Sequence, residues 1–309
     1  MKKTPTPILI FFISLFFLSP ATAKAQSALG VSAIPPRLEI TVNPGEVKTA
    51  QLKVRNESST LKTLTTTVSD FIVTDDTGTP IQLENIDESE NRWAAGSWIQ
   101  ISPTVSQIKA GETKNLTITV LAPANATPGG HYAMVLHTPE ANAVLDSSGA
   151  AIQTNVGTLV YITIPGDITE NAQVKEFTAP KFSEFGPINF DTVIANFSDI
   201  HIAPIGSITI KNWFNRSTSS LPLEKINIFP YTSRTFQNTL ERKWLFGRYQ
   251  AQLNAGYGTT GQALRATIFF WVIPWRLIIL ALATTVIIII LVKLTKIKKE
   301  KGITPPKQS

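Results

Sequence analysis

Eighteen residues from Leu277 to Leu294 read LIILALATTVIIIILVKL, with no charge before Lys293. No β-sandwich or small soluble bundle solvates such a run. As a helix rising 1.5 Å per residue it spans roughly 27 Å, close to the ~30 Å core of a bilayer. Phe269-Phe270-Trp271-Val272-Ile273-Pro274-Trp275 stands just before it, an aromatic belt suited to the headgroup region. Lys293, Lys296, Lys298, Lys299 and Lys301 follow, and a cluster of positive charge marks the cytoplasmic end. Residues 268–294 therefore read as belt and transmembrane helix, and 295–309 as a basic cytoplasmic tail. Whatever the chain does is assigned to the part on the other side.

The opposite terminus agrees. Lys2 and Lys3 precede an apolar run from Ile8 to Leu18. Pro20 breaks that run, and Ala21-Thr22-Ala23 or Ala23-Lys24-Ala25 supplies a small-x-small cleavage site. Residues 1–25 read as a secretory signal peptide, because the run is short for a second span. The expected topology is a single-pass cell-membrane protein with its N-terminal domains extracellular. Lipid attachment is excluded, since the chain has no cysteine.

The formal charge of +6 belongs to these ends. Without the signal, the anchor and the tail, the exported region carries about −3, so nucleic acid is not an expected partner. An exported region of about 240 residues is long enough to bury its cores without disulfides. The missing cysteines favour a bacterial or archaeal surface protein over a eukaryotic receptor.

From Leu29 to Thr267 the pattern is period two. Thr113 to Leu121 alternates Leu116, Ile118 and Val120 with Asn115, Thr117 and Thr119. Val47 to Asn56, Leu61 to Ile72, Gly130 to Thr138 and Gly157 to Ile164 are similar. Turn residues separate them at Asn43-Pro44-Gly45, Asp75 to Gly78, Ala110-Gly111 and Pro128 to Gly130. A second set covers Gln173–Phe177, Ile188–Asn196, Ile205–Asn212, Ile226–Phe229 and Gly247–Ala255. The expectation is an all-β chain of two tandem immunoglobulin-like β-sandwiches, 26–165 and 166–267, followed by one C-terminal transmembrane helix.

The inventory argues against an enzyme. His131, His137 and His201 are the only histidines, and the first two lie about 20 Å apart along one strand. There is no Gly-x-Ser-x-Gly elbow, His-Glu-x-x-His pair or phosphate loop. Asp70, Asp75 and Asp76 read as turn formers, not a calcium loop. Glu84, Asp87, Glu88 and Glu90 read as a solvated loop before Trp93. Trp98 is expected in the core, whereas Trp93 is the better surface candidate for stacking on a sugar; Trp213 and Trp244 are the other exported tryptophans. Sequons occur at Asn56, Asn115, Asn125, Asn196 and Asn215. No catalytic, cofactor or metal residue is assigned, and the binding residues are not specified.

Val42-Asn43-Pro44-Gly45-Glu46, Leu52 to Asn56, Thr77-Gly78, Leu116 to Val120 and Pro128 to Tyr132 together resemble the WxL-interacting bacterial surface proteins. In that family the first domain is described as peptidoglycan-binding and the second as host-binding. The resemblance implies a non-enzymatic surface protein that binds cell-wall polymer (peptidoglycan) or another surface protein, without a cofactor. The Pro-Gly-Glu turn and Val-x-Asn strand are also found in pilus chaperones. The alternative is therefore a membrane-tethered chaperone or assembly factor for exported proteins.

Overall fold

A computed structural model describes residues 30–83, 92–140, 144–145, 151–152 and 155–301. The signal peptide at 1–25 and the end of the tail lie outside these residues, as do Glu84, Asp87, Glu88 and Glu90. The chain is all-β with one C-terminal helix.

The first thirteen strands are β1 (Val31–Ile34), β2 (Arg37–Thr41), β3 (Val47–Asn56), β4 (Lys62–Ser69), β5 (Phe71–Ile72), β6 (Ile81–Gln82), β7 (Ile99–Ser102), β8 (Val105–Ile108), β9 (Thr113–Leu121), β10 (Gly129–Pro139), β11 (Val144–Leu145), β12 (Ala151–Ile152) and β13 (Val156–Ile164). Two sheets, β1-β3-β9-β7 and β2-β13-β10-β4-β8, face each other. The β2–β13 pair is parallel. The chain passes from the first sheet to the second at Pro35-Pro36, which cannot donate to a ladder. Leu52, Leu116 and Ile118 of one sheet and Leu64, Val135 and Ile162 of the other fill one core. Leu116, Ile118 and Val120 are all buried, as strict alternation requires.

The remaining strands are β14 (Ala172–Thr178), β15 (Phe182–Ser183), β16 (Ile188–Asn196), β17 (Ile205–Asn212), β18 (Ser217–Pro222), β19 (Ser233–Leu240), β20 (Gly247–Tyr257) and β21 (Gln262–Val272). They form sheets β14-β16-β19 and β15-β21-β20-β17-β18 around a second core of Phe190, Ile194, Ile208, Phe236, Leu253 and Phe270. The segment 226–229, expected as a strand, makes only a single bridge from Ile228 to Ile202. Its register ends because Phe229 turns away into the first sandwich and Pro230 follows.

One device is used twice. At the end of β3 the Asn56 side chain donates to Thr60 O (2.7 Å) and Ile108 O (2.9 Å) and accepts the Ser58 N–H. At the end of β16 the Asn196 side chain donates to Ile200 O and Ile228 O, each at 2.9 Å, and accepts the Ser198 N–H. Both asparagines are fully buried. Two of the five sequons are therefore structural ties between strand end and loop, closed to glycosylation once folded. Asn115, Asn125 and Asn215 are exposed.

The helix α1 (Trp275–Lys301) follows β21 after Ile273-Pro274. Its stretch Trp275–Lys296 is long and apolar enough, by length and composition, to cross a membrane, and all of it is exposed.

Candidate functional site between the two sandwiches

Strand β10 is buried on both faces. Its odd residues, including Ala133 and Val135, enter the first core, while Tyr132 and Met134 point outward under a separate aromatic cluster. Tyr132 and its cross-strand partner Tyr161 on β13 meet edge to face with ring centroids 5.3 Å apart. Phe229 of the second sandwich inserts against both, at 5.0 and 5.4 Å, and against Phe71 at 5.4 Å. Edge-to-face rings at these spacings add stabilisation beyond the area they bury.

Polar contacts lock the junction. Tyr132 Oη accepts the backbone N–H of His201 at 2.8 Å and lies 3.1 Å from its Nδ1. The Gly130 N–H donates to Asp199 O at 2.9 Å. Gly129, at φ +125°, makes this approach possible, because a Cβ there would sit 2.5 Å from the same carbonyl oxygen. Arg92 pairs with Asp199 at 3.2 Å. Asp76, on the loop after β5, accepts the Thr235 hydroxyl at 2.6 Å and the Thr235 N–H at 3.0 Å.

Beside these contacts an open cleft of about 390 Å³ is walled by Phe71–Thr74, Trp93 and Tyr132 of the first sandwich and Phe229–Thr232 of the second. Trp93 and Tyr231, one from each sandwich, are in tilted ring contact in its wall with centroids 5.5 Å apart, and Arg92 lies over the Trp93 ring. Tyr231 is 58% exposed and holds φ +58°, a left-handed conformation that costs a bulky residue about 1–2 kcal/mol. Strain of that kind persists where the surroundings enforce it.

The histidines are apart and each has a structural setting. His131 packs on the half-buried Trp98 at 4.4 Å and bonds Thr127 O through Nε2. His137 Nδ1 bonds the Thr66 hydroxyl at 2.9 Å. His201 sits behind Tyr132. Burial pushes His131 down, and pushes His137 and His201 down to about 4, so all three are neutral near pH 7. Burial pushes the Tyr132 phenol up.

Asp70 is buried and its Oδ1 accepts the Ala95 and Gly96 N–H groups, pinning the short turn that presents Trp93 and Trp98. Asp75 closes a turn on Thr77, Gly78 and Thr79, and the Thr77 hydroxyl bond lowers its pKa. Among the described residues no group of three His, Cys, Asp or Glu is placed to hold a metal. The cleft itself offers rings, aliphatic surface and backbone groups. Sequence reasoning flagged Trp93 but had no signal for Phe71, Tyr132, Phe229 or Tyr231, which come together only across the junction.

The chain is similar to periplasmic fimbrial chaperones. The YadV chaperone is 11% identical, with 78% of this chain and 100% of that chain covered and a TM-score of 0.39. The class 5 fimbriae chaperone CfaA is 13% identical, covering 77% and 98%, with a TM-score of 0.39. The E. coli chaperone DraB is 13% identical, covering 77% and 96%, at 0.35. No protein-family model and no curated relative matches the chain.

These findings overturn the resemblance to WxL-interacting proteins, and nothing found supports binding to peptidoglycan. The physical reason is that the shared motifs do local work. Gly45 supplies a left-handed turn at φ +76°, Glu46 accepts the Asn43 N–H at 2.9 Å, and Asn56 ties a strand end. Any sandwich needing those turns selects the same residues.

Proposed function

We propose that the chain is a membrane-anchored, non-enzymatic chaperone or assembly factor for exported proteins. Two immunoglobulin-like units meet near residues 165–171 and hold a client polypeptide in the aromatic cleft between them. The observation that carries this reading is the cleft, an open apolar groove whose wall includes Trp93 and Tyr231, touching rings that come one from each sandwich. The apolar lining suits the apolar side chains of an extended segment, and β2 and β8 are the edge strands of their sheet, where strand addition occurs. A wall polymer would call for polar groups matched to sugar hydroxyls, which this lining does not emphasise. The buried, separated histidines supply no acid–base pair to the cleft.

The anchor is α1. The helical stretch Trp275–Lys296, strongly apolar and exposed throughout, has lipid as its natural solvent. The lysines from Lys293 onward support the reading in which its C-terminal end is cytoplasmic and both sandwiches lie on the far side.

The test is removal of the chain from its cell, followed by quantification of every exported protein in the envelope. The expected result is loss of one or a few exported proteins, restored by the intact chain but not by folded Trp93→Ala or Tyr231→Ala variants. Unchanged levels of all exported proteins would overturn the proposal.

A further inference from the structure

Strand order brings distant turns to the end of the second sandwich from which α1 leaves. In β20–β21, Gly247 pairs with Val272 and Arg248 with Trp271, and Asn212 at the end of β17 pairs with Tyr249. The turn after β17 and the loop before β20 therefore flank the helix start. Their tips carry Trp213, Phe214, Trp244 and Phe246, which are 64% to 75% exposed. Trp213 and Phe269 line one surface hollow with Arg248, and Trp271 is exposed beside them.

Exposed aromatics at such density are expensive in water, and none of these is needed for the second core. Cations accompany them: Arg248 lies 4.2 Å over the Phe269 ring, Lys243 lies 6.0 Å over Trp244, and Arg276 lies 5.3 Å over Trp275. Acids stand among them as well: Glu184 bonds Arg276 at 3.4 Å, and Glu241 is two residues before Lys243 in the chain. Rings that sit at the headgroup level, with cations for the phosphates, are the chemistry of a membrane interface.

The connection is also short and clamped. Only Ile273 and Pro274 separate β21 from α1; the 181–183 segment holds the β21 side through Trp271 N–H to Lys181 O (2.9 Å) and Ile273 N–H to Ser183 O (3.0 Å), and Glu184 next to it pairs with Arg276 in the first turn of α1 (3.4 Å). Swinging the first turn of the helix away from the sandwich breaks the Arg276–Glu184 pair.

We propose that the helix-proximal end of the second sandwich is a membrane-docking surface, with the Trp213–Phe214 and Trp244–Phe246 tips lodged in the phospholipid headgroup layer. This rests on the reading of α1 as a membrane anchor. Docking fixes the tilt of the ectodomain, so the cleft is presented at a set height and angle above the lipid.

The full chain lacks cysteine, so single sites can be labelled with an environment-sensitive fluorophore. Trp213→Cys, Lys243→Cys, Ile279→Cys in the helix and Lys53→Cys in the first sandwich would each be reconstituted in phosphatidylethanolamine–phosphatidylglycerol vesicles. Lys243→Cys removes no aromatic residue and guards against a perturbed Trp213 variant. Quenchers attached near the lipid headgroup are expected to dim the probes at 213 and 243 but not at 53. Probes at 213 and 243 that behave like the one at 53, while acyl-chain quenchers dim 279, would overturn docking and leave the anchor standing. An unquenched probe at 279 as well would overturn both.

Discussion

The Tyr132 hydroxyl takes the backbone N–H of His201 at 2.8 Å and lies 3.1 Å from the Nδ1 of the same residue, across 69 positions of sequence. A phenol that accepts from the backbone has its own proton free for the imidazole. In the tautomer that carries its hydrogen on Nε2, His201 Nδ1 accepts that proton. This one hydroxyl joins the two sandwiches through two bonds inside an aromatic cluster.

Tyr132→Phe keeps the ring among Phe71, Tyr161 and Phe229 but strands the His201 N–H. The expected cost is about 1–3 kcal/mol, read as a lower denaturant midpoint with an unchanged slope. A loss indistinguishable from zero would mean that the contact does not hold the junction.

The histidines make stability depend on pH. The native chain keeps His137 and His201 neutral down to about pH 4, and His131 is also pushed below its ordinary value. The unfolded chain protonates them near 6.5. Between about pH 6.5 and 4 the unfolded state binds more protons, so stability rises with pH there and falls on acidification. Below about 4 the contribution of His137 and His201 levels off. Thermal melts of the full chain across pH 7 to 4 are expected to fall steadily, and His137→Gln should reduce the slope.

Tyr231 separates conformational cost from ring chemistry. Tyr231→Gly and Tyr231→Ala both remove the ring, but only glycine accepts φ +58° freely. The glycine variant should be the more stable by about 1 kcal/mol, while both lose client protection equally. Equal stability would show that the left-handed turn is not strained.

Gly129 and Gly111 offer a paired comparison. Both have positive φ, but a Cβ at 111 meets open space whereas one at 129 meets Asp199 O at 2.5 Å. Gly111→Ala should cost about 1 kcal/mol from conformation alone. Gly129→Ala should cost more and loosen the junction, seen as faster proteolysis between the sandwiches.

Much of the fold is legible locally. Strands such as Thr113–Leu121, Ile188–Asn196 and Ile205–Asn212 stand where period two put them, because alternation follows from backbone geometry alone. Val31–Ile34, Val105–Ile108 and Ser233–Leu240 carry no clear period-two signal, being short or rich in polar residues. Their strand state comes from their ladder partners.

Sequence by itself determined the β character and the apolar C-terminal helix. Each is written in the spacing or the inventory of neighbouring residues. Tertiary structure alone decided the junction and the helix-proximal end. Trp213 lies beside Phe269 once the second sandwich is folded, whereas Tyr132 meets His201 and Trp93 meets Tyr231 only when the two sandwiches are set against each other. Side-chain alternation says which face of a strand is buried. It carries no information about what will cover the other face.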